Sequence, residues 1–182
     1  MSWTRRRLIE ASGAIALSAV GALAGRAGAR AAPAERRISL KNLHNPESLE
    51  VVYRREGEYL HEALARLEKL LRDFRTGEEH PMDPALFDYL YDAARATGVE
   101  PVFSVISGYR SARTNELLHE RSSGVASKSL HMEGRAIDVR LAGVDCVKLA
   151  SSALGLQRGG VGYYRLSDFV HLDTGRFRTW RG

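Results

Sequence analysis

The stretch S-L-H-M-E-G-R-A-I-D-V, Ser129 to Val139, joins two kinds of sequence. Its second half continues to Leu141 as A-I-D-V-R-L, a short apolar run that reads as a core strand. Its first half is a loop containing Gly134. A histidine, His131, stands in the loop, and a carboxylate, Asp138, stands at the head of the strand. That pairing poses the question of what completes the set.

Working outward from that strand, P-V-F-S-V-I-S-G reads as a second buried strand, ending at G-Y-R-S-A-R-T-N-E-L-L, where Thr114 to Arg121 has helical character. After A-I-D-V-R-L a helix runs from about Val144 to Leu154, and G-G-V-G-Y-Y and F-V-H-L-D-T close the fold as two more strands. Toward the N-terminus, R-R-I-S-L-K-N-L and L-E-V-V-Y-R-R flank H-N-P-E-S as a hairpin with an Asn-Pro turn. Leu60, Ala63, Leu64, Leu67, Leu70, Leu71 and Phe74 form one stripe of a helix over residues 58–74. In M-D-P-A-L-F-D-Y-L-Y-D-A-A-R-A-T-G, Asp83 is an N-cap, Pro84 the first helical residue and Gly98 the stop. This order predicts an α+β domain: a small, mostly antiparallel sheet with helices packed on it.

His171, in the late strand F-V-H-L-D-T, gives His131 and Asp138 a third partner. Two neutral imidazoles and one carboxylate are a three-ligand set for a catalytic zinc that keeps a fourth position open. The spacing by itself is unspecific, because isolated histidines are more often structural. His44, His61, His80 and His119 fall in a turn, on helices or near a helix start and read as structural. Cys146 lies in a helix-like run as a buried structural thiol; one cysteine supplies neither a disulfide nor a thiolate cluster. Alternation along G-G-V-G-Y-Y sends one of Tyr163 and Tyr164 to the core and the other to a groove, with core packing the simpler assignment for both. Trp180 and its basic neighbours pack on the fold or face an anionic wall; the sequence leaves both open.

The 182-residue chain carries a formal net charge of +5. Residues 1–31 hold +4 of it, so the remainder is nearly neutral and lacks the cationic surplus of a nucleic-acid binder. Those first residues read as an export signal. A charged start with T-R-R-R-L-I, of twin-arginine type, precedes a mildly apolar middle and small residues at Ala29-Arg30-Ala31. The middle is shorter than the ~20 residues that span a bilayer as a helix. The expected organisation is a signal over 1–31 and one domain over 32–182, without stable membrane insertion once the signal is cleaved.

Several segments in order, S-G-Y-R-S-x-x-T-N-x-x-L, S-x-H-x-x-G-x-A-x-D, G-G-V-G-Y-Y and F-V-H-L-D-T-G-R-x-R-x-W, resemble the murein endopeptidase K-like zinc peptidases. That group sits within the superfamily of D-alanyl-D-alanine peptidases and hedgehog-type domains. The resemblance runs from about Arg36 to Trp180. It implies one Zn²⁺ held by His131, Asp138 and His171, with Arg110 and Ser129 at the substrate. Arg110 can hold a carbonyl or carboxylate by paired hydrogen bonds; Ser129 either bonds a substrate peptide group or caps its own loop. The reaction needs a proton acceptor. Related zinc peptidases place an acid three residues before the last histidine, the position of Asp168. Asp173 is the rival, or else orients a histidine ring, and Glu133 is a weaker third choice.

The resemblance implies a monomeric metallopeptidase that cuts peptide cross-links of peptidoglycan in the periplasm or cell envelope. Two alternatives stand beside it: a non-catalytic wall-binding module that keeps zinc for folding, and a D-alanyl carboxypeptidase or dipeptidase. Structural zinc usually takes four protein ligands, and only three convincing ones are present, which favours catalysis.

Overall fold

The computed structural model describes residues 34–121 and 126–182. The expected signal over 1–31 lies outside them. Two strands open the domain, β1 (Glu35–Asn42) and β2 (Ser48–Arg55), paired antiparallel as the hairpin reading requires. Glu56 and Gly57 then turn the chain with positive φ, and a two-residue β3 (Glu58–Tyr59) pairs back onto β2. Because the sheet takes Glu58 and Tyr59, helix α1 covers only His61–Leu70, shorter at both ends than the apolar stripe predicts. At its other end the backbone of Asp73 turns to bond Glu78 and Gly77, which stops the helix before Phe74.

Helix α2 (Pro84–Thr97) has the predicted boundaries: the Asp83 carboxylate accepts from the Ala85 amide, and Gly98 ends it at φ 89°. Strand β4 (Val102–Ser107), helix α3 (Ala112–Arg121), strand β5 (Ala136–Leu141) and helix α4 (Cys146–Leu156) follow. Strands β6 (Gly160–Tyr164), β7 (Phe169–Asp173) and β8 (Arg178–Arg181) complete the chain. The strand order is β3-β2-β1-β4-β5-β7-β6-β8, a single eight-stranded sheet.

The α+β expectation holds, but the small, mostly antiparallel sheet does not. The sheet is large and mixed, because β1 runs parallel to β4 and β6 runs parallel to β8. Both departures have a local cause. The crossover through α1 and α2 returns the chain beside β1 in the same direction, and the tail after β7 crosses back along β6 instead of running free. Alternation along β5 and β7 sorts the side chains. Ile137, Val139, Val170 and Leu172 join the fully buried core with Leu86, Phe87 and Leu90 of α2 and Leu149 and Ala153 of α4. Asp138 and His171 are directed to the other face. Among the described residues, no helix is long and apolar enough to cross a membrane.

Candidate metal centre

Register does most of the assembly. Ser107 of β4 lies opposite Asp138 of β5, Asp138 opposite His171 of β7, His171 opposite Gly162 of β6, and Gly162 opposite Trp180 of β8. One cross-strand row on one face of the sheet thus carries a hydroxyl, a carboxylate, an imidazole, a glycine and an indole. His131 reaches the row from a 3-10 turn (Leu130–Glu133), which ends at Gly134 with φ 66°. A Cβ on Gly134 would collide with the Pro81 carbonyl, so both its dihedral and its space demand glycine.

The two histidines are held in opposite tautomers. His131 Nδ1–H donates to the Gly108 carbonyl at 2.7 Å, which leaves its Nε2 as a lone pair. His171 Nε2–H donates to Asp173 Oδ2 at 3.1 Å, which leaves its Nδ1 as a lone pair. Those two nitrogens are 3.2 Å apart, and Asp138 Oδ1 lies 2.8 Å from His171 Nδ1 and 3.3 Å from His131 Nε2. With both imidazoles neutral, three acceptors face one another with no hydrogen among them. A divalent cation is what relieves that arrangement, and two imidazole nitrogens with one carboxylate oxygen are donors suited to zinc. Burial and charge oppose one another at these residues. All three residues are buried. Burial alone would raise the Asp138 carboxyl, but His131 and His171 drive it well below the usual carboxylate range. Burial lowers His131, favouring the neutral ligand form. For His171 burial also lowers, yet the hydrogen bonds to Asp138 and Asp173 prevail and raise it, so a proton is what the cation would displace.

Around the three donors the remaining predicted residues fall into place or out of it. Arg110 Nη2 donates to Asp138 Oδ2 at 2.5 Å and Nε to Ser107 Oγ at 2.8 Å, so the guanidinium braces the carboxylate from behind while lining the cavity. Of the two roles expected for Ser129, the cap is present, its hydroxyl accepting from the His131 amide, and the residue also lines the cavity. Asp173 is fully buried, and His171, Arg178 and the amides of Gly160 and Gly175 all donate to it. Those hydrogen bonds outweigh burial and hold its carboxyl far below the usual range. With both oxygens saturated, it orients His171 and has no capacity left to accept a proton from substrate. Asp168 sits exposed in the β6–β7 turn at φ 49°, its carboxylate 3.6 Å from Arg140, between two cavity-lining residues, Ser167 and Phe169. Glu133 is exposed and paired with Arg135 at 3.3 Å, off the cavity.

Tyr164 corrects the simpler assignment of both tyrosines to the core: Tyr163 packs against it, while Tyr164 lines the cavity. Trp180 also faces the cavity, its ring 5.2 Å from that of His171 and its Nε1–H donating to the Tyr164 hydroxyl at 3.1 Å. The reading of the sequence missed the clamp of Arg178 on Asp173, though both residues belong to the motif F-V-H-L-D-T-G-R-x-R-x-W. It also missed Asp73, whose carboxylate accepts from the Ser111 amide and hydroxyl and so fixes the start of α3 just beyond Arg110. The cavity has a volume of about 490 Å³ and is open to solvent.

A His, an Asp and a His converging beside an open cleft have the make-up of a metal centre, and the class of protein that carries it here is a peptidase. The chain belongs to the Peptidase_M15_2 family, peptidoglycan L,D-endopeptidase MepK, whose profile matches residues 30–180. It is 42% identical over 151 residues to the probable peptidoglycan L,D-endopeptidase MepK of Haemophilus influenzae, covering 82% of this chain and 81% of that one. It is 39% identical over 175 residues to the peptidoglycan L,D-endopeptidase MepK of Escherichia coli K12, covering 96% of both. No solved structure matches the chain significantly.

Proposed function

We propose that this protein is a zinc-dependent endopeptidase that hydrolyses peptide cross-links of peptidoglycan, acting as a monomer in the periplasm or cell envelope after twin-arginine export. The observation that carries the reading is the convergence of His131 Nε2, His171 Nδ1 and Asp138 Oδ1, all within 3.3 Å of one another, beside an open cleft. Family membership supports the peptidase activity and the wall substrate. We assign the fold to the hedgehog and D-alanyl-D-alanine peptidase type on the same motifs.

His131, Asp138 and His171 would hold one Zn²⁺. Bound there, zinc supplies Lewis acidity toward the scissile carbonyl and lowers the pKa of water toward ~7. The chain's own residues do the rest. Gly108 and Asp173 keep each imidazole in its ligand tautomer. Arg110 holds Asp138 and offers its remaining N–H groups to a substrate carbonyl or carboxylate. Ser129 presents its hydroxyl to a peptide group at the cleft wall. Asp168 accepts the proton and returns it to the leaving amine. It is exposed and its two neighbours, Ser167 and Phe169, line the cleft, while its carboxylate meets Arg140 and the Cys146 thiol. Its exposed contact with Arg140 is worth at most about 1 kcal/mol and yields to a rotamer change. Its left-handed backbone is a strained conformation of the sort that gathers at working sites.

Digestion of purified sacculi tests the assignment. Muropeptide mass spectrometry should show loss of cross-linked dimers, abolished by a chelator and restored by zinc. A zinc-loaded protein that leaves the profile unchanged supports the wall-binding module instead. Release of free D-alanine in place of uncross-linked peptides supports the carboxypeptidase.

A further inference from the structure

Three cationic side chains besides the histidines line the cleft: Arg110, Lys128 and Arg178. Two are committed. Arg110 is held by Asp138 and Ser107. Arg178 is held by both oxygens of Asp173 and lies 4.9 Å over the Trp180 ring. Lys128 is exposed and makes no hydrogen bond or ion pair with any described residue. On the anionic side, Asp138 is the only carboxylate among the described residues that lines the cleft, and both of its oxygens face donors or the histidines. Among the described residues, the cleft therefore holds one cation without a partner, in a region 32–182 that is otherwise nearly neutral. A cation would strengthen that positive potential, and a cleft focuses it onto an incoming ligand.

The base of Lys128 is also fixed. Asn115, buried on α3, donates its side-chain amide to the carbonyls of Ala126 at 3.1 Å and Ser127 at 3.2 Å. On the other side, Ser129 caps the 3-10 turn that carries His131. Both neighbours of Lys128 are thus anchored, and only its long side chain is free to meet a ligand. An ammonium on a flexible stem is a compact point charge that can meet a carboxylate in more than one pose.

We propose that Lys128 is a specificity-determining residue that reads a free carboxylate on the substrate peptide, beside the bond to be cut. The inference rests on the endopeptidase reading above, and the substrate class it names is a cross-linked peptide carrying an unamidated carboxylate.

The test compares two synthetic cross-linked stem-peptide dimers, identical except that the carboxylate beside the cross-link is a carboxamide in one. The zinc-loaded full chain should cut the carboxylate dimer with a kcat/KM roughly five-fold higher, the scale of one exposed charge pair. The preference should shrink as ionic strength rises. Lys128→Ala should bring the ratio close to one, and Lys128→Arg should restore most of it. Equal rates on the two dimers for the parent protein overturn the proposal, as does a Lys128→Ala protein that keeps the preference. If the parent cuts neither dimer, the endopeptidase reading itself fails and this inference falls with it.

Discussion

His171 owes its orientation to Asp173, and Asp173 owes its charge to Arg178 and two backbone amides. The chain of dependence yields a prediction: Asp173→Asn keeps the size of the side chain but weakens the acceptor that fixes the His171 tautomer. Zinc affinity, measured by competition with a chromophoric chelator, should fall by about 10–100-fold. A variant with unchanged affinity and a native circular dichroism spectrum removes the positioning role. Asp168→Ala separates cleanly from this. It should leave zinc affinity intact and lower kcat by about 10²–10⁴; a kcat within a few-fold of the parent would falsify Asp168 as the proton acceptor. The three clustered side chains were legible as residue types, since His, Asp and His fall where a loop and two strands were expected. The difference between Asp168 and Asp173 was not. It lies in which oxygens are already bonded, and those bonds come from Gly160 and Arg178 on other strands. Cys146 matches its expected role as a buried thiol, pushed up to about 12 chiefly by burial and so held in its unreactive form.

At the scale of elements, two short segments decide the shape of the site. Strand β8 delivers Trp180, and Gly162 of β6 gives it room: a Cβ there would stand 2.5 Å from the indole. Gly162→Ala should displace the ring from His171 and Tyr164 and lower kcat/KM about ten-fold, the scale of an overpacking cost of 1–3 kcal/mol. Trp180→Phe in the same background should recover part of the loss. If Gly162→Ala retains parental kcat/KM, the indole is no part of the cleft wall. The second segment is the loop after α1, where Asp73 grips Ser111. Burial alone would raise its carboxyl, but the nearby Thr114 side chain, the Ser111 hydroxyl and the amides of Ser111 and Arg75 reverse this and hold it at about 2. The sign follows: a folded pKa below the unfolded value of about 3.9 gives stability that is present above pH 4 and lost as pH falls toward 2, of order 1–2 kcal/mol. Asp73→Asn should be less stable near neutrality and show a shallower loss in urea melts over that window; an unaltered pH slope contradicts it. Caps and hairpin were readable because Asp83-Pro84, Gly98 and the Asn-Pro turn act through neighbours in sequence. Strands β3 and β8 were not, since two and four residues carry too little alternation to declare a strand before a partner is known.

For the molecule as a whole, the sheet divides labour between its faces: one is buried under α2 and α4, the other gathers three buried polar groups within reach of one another. A cation that binds only this folded arrangement, displacing the proton that Asp138 and Asp173 favour on His171, adds stability. At a free zinc concentration one hundred times Kd, linkage adds about 2.7 kcal/mol. For a domain of this size each kcal/mol moves Tm by about 2–4 °C, so zinc should raise Tm by roughly 5–10 °C, with the increment growing logarithmically as zinc is added. His131→Ala removes one donor, and its Tm should respond to zinc weakly or not at all. Lys128→Ala, whose side chain faces the cleft without being a donor, should keep the full increment. Scanning calorimetry in chelator and at graded zinc distinguishes the cases. A parental Tm that is the same in both, or an increment that survives His131→Ala undiminished, means that the converging lone pairs do not hold the ion, and the metal-centred reading of the cleft would have to be abandoned.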